Sequence, residues 1–159
     1  MSHHFEKKLR LSPTAHRRGF TLVEVGVAMV VLALLLLIGT PRVSRYMTEM
    51  RVQRATAVVA TDLEQAFAMA GRQRKPVRLN CTCGSQMYTV TDRLGGTTRL
   101  TRTLGADADY KLTTLTFSAA PVDIFPSGVA SGPLTVTVGA GGYSKQVVMT
   151  TAGQVRILP

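Results

Sequence analysis

RRGFTLVEVGVAMVVLALLLLIG, residues 17 to 39, carries a single charge, Glu24, in the otherwise uncharged run from Phe20 to Ile38. That run is 19 residues long. As a helix it spans roughly 28 Å at about 1.5 Å per residue, close to the ~30 Å hydrocarbon core of a bilayer. A carboxylate at the centre of such a helix costs roughly 2.5–3.5 kcal/mol, and less near an end. A secretory signal peptide would have a shorter apolar region ending in a small-x-small site. The exit sequence LLIGTPRVS, residues 36 to 44, offers none. A plain anchor leaves Glu24 unexplained. Arginines at 42, 45, 51 and 54, offset by Glu49, follow the run almost as densely as basic residues precede it. The positive-inside rule therefore comes close to a tie.

The rest of the chain limits the chemistry. Of the net charge of +10, +4 lies in the first 19 residues and +6 in residues 20 to 159. Such a basic surface suits solvent, anionic lipid, nucleic acid or an acidic partner. His3, His4 and His16 all precede Phe20. No imidazole is therefore left for a nucleophilic pair or a metal site downstream. Asp92, Asp107, Asp109 and Asp123 stand in turn-like contexts without the pairing that acid/base catalysis needs. Neither an enzyme nor a cofactor is expected. Cys81 and Cys83 would share a face if both lay on a strand, so a small disulfide ring and two free thiols both stay open. Two thiols are too few for a structural zinc site unless other chains contribute, and a redox-catalytic role is not expected of them.

Gly39 and Pro41 predict a kink or loosening of the helix, since proline has no amide hydrogen for the preceding turn. Beyond them Val52, Ala55, Val59, Leu63, Ala66, Phe67 and Ala70 recur at helical spacing, with Arg51, Arg54, Asp62 and Glu64 read as lying off the stripe. Gly71 suits the helix terminus and Pro76 prevents continuation. After Pro76 the period becomes two: QMYTVT, TRLTRTL and LTVTV read as half-buried strands. YKLTTLTF slips register, suggesting a bulge at Thr113-Thr114. RLGG and GAGGYS supply hairpin turns, and DIFPSGVASGP reads as an irregular connection. The expected fold is α+β, a long N-terminal transmembrane and amphipathic helix packed on a C-terminal antiparallel β-sheet head. The expected divisions are a leader at 1–19, a membrane helix at 20–38, an amphipathic continuation at 39–75 and the head at 76–159.

The basic leader, the Gly19-Phe20 junction, Thr21-Leu22, Glu24 and the apolar run together resemble the N-terminal signal of type IV prepilins and pseudopilins. The resemblance implies cleavage between Gly19 and Phe20 by prepilin peptidase, N-methylation of the new amino terminus, and a role for Glu24 in assembly. Phe20 and Glu24 are separated by four residues and share a helix face. An α-amino group created at Phe20 would therefore give Glu24, or its counterpart in a neighbour, a cation to meet. The same resemblance implies a single-pass inner-membrane protein, with leader cytoplasmic and head periplasmic. Its expected partners are other pseudopilins or pilins through their N-terminal helices, an inner-membrane assembly platform and membrane lipid.

The segment IFPSG, a hairpin and the closing VVMTTAGQVRI resemble the GspH/FimT group of minor pseudopilins, with Phe125, Ser127 and Gly128 one residue tighter than the usual Phe-x-x-x-Gly. This implies a place in the pseudopilus of a type II secretion system or in a type IV pilus. Some FimT-branch members bind DNA through a C-terminal Gly-Arg-x-Arg-like motif, which here reads Gly153-Gln154-Val155-Arg156 and lacks one arginine. A lone arginine supplies few phosphate contacts. Candidate DNA contacts are therefore Arg156 and the cluster Arg72, Arg74, Lys75 and Arg78. Arg99 and Arg102 should face opposite ways, and Tyr143 beside Lys145 is the one candidate for base stacking.

Overall fold

The computed structural model describes residues 19 to 158, without the side chains of residues 38 to 41. The expected leader therefore lies, but for Gly19, outside the described residues. The chain divides at Gly39/Thr40 into two compact units.

In the first unit the described residues form the start of a long helix, α1 (Leu22–Gln73). Thr21 caps it: its Oγ1 accepts the amide hydrogen of Glu24 at 3.2 Å, and its carbonyl accepts that of Val25. Thr21-x-x-Glu24 is thus half of a capping box, satisfying one of the amide donors that every helix start leaves open. Helical backbone passes through Gly39 and Pro41 without interruption, although those residues predict loosening there. Proline removes one donor and costs about 3 kcal/mol in a helix interior, which long flanking turns can absorb. The helix also outlasts Gly71 by two residues. It stops where Arg74 turns left-handed (φ 53°) and returns its amide to the Gly71 carbonyl.

In the second unit eight strands follow: β1 (Val77–Thr82), β2 (Met87–Asp92), β3 (Thr98–Thr103), β4 (Thr114–Phe117), β5 (Val122–Ile124), β6 (Leu134–Ala140), β7 (Tyr143–Met149) and β8 (Val155–Leu158). They make two antiparallel four-stranded sheets, ordered β3-β2-β1-β5 and β4-β6-β7-β8. The helical stripe is buried as its spacing predicts. Val52, Ala55, Val59, Leu63, Ala66 and Ala70 of α1 are all at most 1% exposed and join Leu79, Val90, Ile124, Leu134, Val136 and Met149 in one core. Burying each larger aliphatic contributes about 1.5–3 kcal/mol, so this stripe ties the helix to the head.

Local expectations fared unevenly. The β6–β7 turn has positive φ at both Gly141 and Gly142, the geometry of a two-residue type I′ hairpin. The slip in YKLTTLTF is not a bulge: Thr114 begins β4, and Leu112 precedes it in a loop whose amide bonds the Leu104 carbonyl. The register shift lies instead between Val90 and Thr91 of β2. DIFPSGVASGP is not wholly irregular either, because Val122–Ile124 pairs with β1. Cys83 leaves the strand and begins a 3-10 turn (Cys83–Ser85), so the two cysteines do not share a strand face. They are nevertheless joined as a disulfide, with Cα atoms 5.1 Å apart.

Candidate functional site

The N-terminal segment is built for company. Phe20 is 80% exposed, Leu22 90% and Leu37 76%, and the most apolar stretch of α1 has no part buried. Apolar side chains in this number lose their favourable environment unless lipid or neighbouring helices surround them. Gly19 precedes the cap, outside the helix, with no atom within 4 Å of where a Cβ would stand. Glu24 sits in the first turn, where the helix dipole favours negative charge. Its place is therefore consistent with helix initiation as well as with an amine at Phe20. The spacing of Thr21 and Glu24 carries the first role, and that of Phe20 and Glu24 the second.

In the head, charge is organised by three arginine–carboxylate forks. Arg102 of β3 grips Asp62 of α1 through Nε–Oδ2 and Nη2–Oδ1, both at 2.8 Å, and the Tyr88 hydroxyl donates to the same carboxylate. Asp62 is only 3% exposed, which corrects its reading as lying off the buried stripe. The signal was present, since Ala55, Val59, Asp62 and Ala66 are spaced four, three and four apart. Burial, and then the hydrogen bond to Asp62, push the Tyr88 hydroxyl well above the ordinary tyrosine range.

Arg99 forks onto Asp92, and its hydrogen bonds hold that carboxyl below the ordinary range against the opposing effect of burial. Arg78 forks onto Asp123, which Arg93 also reaches at 3.1 Å. The Arg78 hydrogen bond, ahead of burial, lowers the Asp123 carboxyl in the same way. Asp123 thus lies in a strand rather than a turn, and Asp92 ends one. Arg102 shares the inward face of β3 with half-buried Leu100, whereas Arg99 is exposed, in keeping with their odd spacing.

The candidate DNA contacts are not all brought together. Arg72, Arg74 and Lys75 are exposed at the end of α1. Arg78 is committed to Asp123 on one sheet, and Arg156 stands exposed on β8 of the other. Tyr143 is half-buried against the core, which leaves only part of its ring for stacking.

The motif Gly153 has a packing role that its sequence context did not reveal. Its φ is +80°, and a Cβ there would stand 3.0 Å from Phe67 Cε1 and 3.3 Å from the Gly128 carbonyl oxygen. The C-terminal turn, the loop after Phe125 and α1 therefore meet at Gly153. The Ala130 amide, bonded to the Thr151 carbonyl, fastens the same junction.

Two family models match the chain. Residues 14–40 match the prokaryotic N-terminal methylation motif, and residues 55–153 match type II transport protein GspH. No curated protein matches. Among solved structures, the chain is similar to the minor pseudopilin EpsH from the type 2 secretion system of Vibrio cholerae, with 15% identity and a TM-score of 0.55 over 68% of this chain and 96% of that one. It is also similar to the type IV minor pilin FimU of Pseudomonas aeruginosa, with 15% identity and a TM-score of 0.56 over 68% of this chain and 88% of that one. At these identities the two likenesses establish the pilin-like fold.

Proposed function

The chain belongs to the type II transport protein GspH family, whose members are structural pilin or pseudopilin subunits, and from that membership we propose that it is a minor pseudopilin of a type II secretion system. Prepilin peptidase cuts between Gly19 and Phe20, and Phe20 is then N-methylated. The helix from Phe20 to Ile38 holds the protein in the inner membrane with the head in the periplasm. The assembly platform draws it into the pseudopilus, where packed N-terminal helices form the filament core and Glu24 meets a Phe20 amine. The observation that carries this reading is the unburied apolar start of α1 with one carboxylate in its first turn.

Two substitutions test it. Gly19→Trp should leave the leader attached, visible as a band larger by roughly 2 kDa. Glu24→Val should leave insertion and cleavage intact and abolish incorporation into the filament. Normal incorporation of that variant would sink the assembly role of Glu24.

A second reading, DNA contact in the manner of the FimT branch, is favoured by the exposed Arg72, Arg74 and Lys75, which make no ion pair among the described residues. Titrating duplex DNA binding against salt decides it. Three phosphate contacts imply a log–log slope of about −2.7, lost when the three cations are neutralised together.

A further inference from the structure

The disulfide of the second unit sits at a surface corner. Cys81 stands near the end of β1, and Cys83 opens the 3-10 turn, which has no buried residue. Both cysteines are half-buried, and their neighbours Thr82, Gly84 and Ser85 are exposed. The hairpin has its own support: β1 and β2 pair from Val77 with Asp92 to Thr82 with Met87, over buried Val77, Leu79, Tyr88 and Val90.

The turn also holds a second segment. Gln86 adopts a left-handed backbone (φ 48°) and donates its amide hydrogen to the Cys83 carbonyl at 3.1 Å. Its own carbonyl accepts the Leu104 amide at 2.9 Å, and the Leu104 carbonyl accepts that of Leu112. Gly105 is buried beneath, where a Cβ would stand 3.0 Å from Gln86 Oε1 and 3.3 Å from the Ser85 carbonyl oxygen.

The span of the bridge decides how far folding protects it. Its cysteines have a sequence separation of 2. Loop-closure entropy for so short a ring strengthens the folding equilibrium by only about tenfold, against on the order of a hundredfold for a loop of about fifteen residues. The coupling is reciprocal, so folding hardens the bridge against reduction by the same small factor. A turn with no buried residue can then loosen while the core stays packed.

We propose that Cys81–Cys83 is a redox latch, opened by a dithiol in the folded protein, that sets how firmly the 83–86 turn and Leu104-Gly105 are held. Cys81 packs against the core, so a thiolate of the dithiol attacks the Cys83 sulfur. The S–S bond breaks, and Cys81 leaves as a thiolate and takes a proton. The second thiol of the reagent then displaces Cys83, so that two electrons and two protons pass to the protein and the dithiol becomes a cyclic disulfide. Reversal closes the latch.

The test equilibrates the full chain in detergent with graded ratios of reduced to oxidised dithiothreitol, traps free thiols with N-ethylmaleimide and counts them by mass. The half-reduction ratio of the folded protein should lie about tenfold above that of the chain unfolded in guanidinium, with the near-ultraviolet circular dichroism of the fold retained. In the reduced protein the Gln86 and Leu104 amides should exchange hydrogen about tenfold faster, while those of Leu79 and Val136 stay unchanged. A Cys81→Ser, Cys83→Ser double variant should match the reduced protein. A shift on the order of a hundredfold, reduction only together with loss of the fold, or unchanged exchange at Gln86 and Leu104 overturns the latch. So does a double variant that fails to fold, since the latch could then not open without unfolding the head.

Discussion

Arg102 of β3 and Asp62 of α1 form a two-pronged ion pair, with both N–O distances 2.8 Å, that joins the helix to the edge of a sheet. The Tyr88 hydroxyl closes the arrangement from β2. An acid placed this deep is tolerated only because each of its oxygens is satisfied. The pair then makes the helix–sheet docking specific, since a rotated helix would strand the carboxylate in an apolar core.

Removing one partner should cost more than the pair itself is worth. Asp62→Ala strands the Arg102 guanidinium and the Tyr88 hydroxyl, and the expected loss is about 2–4 kcal/mol of unfolding free energy. Chemical denaturation of the detergent-solubilised protein measures it. A change within about 0.5 kcal/mol, the range of ordinary surface substitutions, would show that the fork is incidental to stability.

Stability should fall at both ends of the pH scale for opposite reasons. The Asp92 and Asp123 carboxyls are depressed by Arg99 and Arg78, so their contribution is present above the unfolded aspartate value of about 3.9 and is lost as pH falls through the folded values. Tyr88 is raised, so its contribution is complete below the unfolded tyrosine value of about 10 and erodes as pH climbs beyond it. Melting temperatures between pH 3 and pH 11 should trace both limbs. Tyr88→Phe should flatten the alkaline one.

Gly153→Ala should destabilise the head by about 2–3 kcal/mol, combining a left-handed backbone with crowding against Phe67 and the Gly128 carbonyl. Gly132→Ala is the control, because a Cβ there meets nothing within 4 Å and its φ lies outside the positive range. The control should differ from the parent by less than about 0.5 kcal/mol. Equal melting curves for the two variants would remove Gly153 from the junction.

The Cys81–Cys83 disulfide predicts a simple mass result. Iodoacetamide added under denaturing conditions without reductant should label neither cysteine, and after reduction it should label both. Two labels before reduction would mean that the purified protein carries free thiols.

Legibility followed the range of the interactions. Local, periodic information is written directly in the chain: the apolar run to Ile38, the core stripe from Val52 to Ala70, and the alternation of β2, β3 and β6 depend only on spacing along one element. The N-terminal methylation motif over residues 14–40 was likewise visible, because it is contiguous. Tertiary structure alone decided how the strands divide into two sheets, since short strands of one period do not announce their partners. It also decided which charges are buried. Asp62 reads as off the stripe and Asp123 as in a turn, but Arg102 and Arg78 reach them across 40 and 45 residues of sequence, the first acid buried and the second partly so. Gly153 acquired its meaning in the same way, from Phe67 packing on a turn far along the chain. Burial pairs groups by position in space, and no window along the sequence contains both members of such a pair.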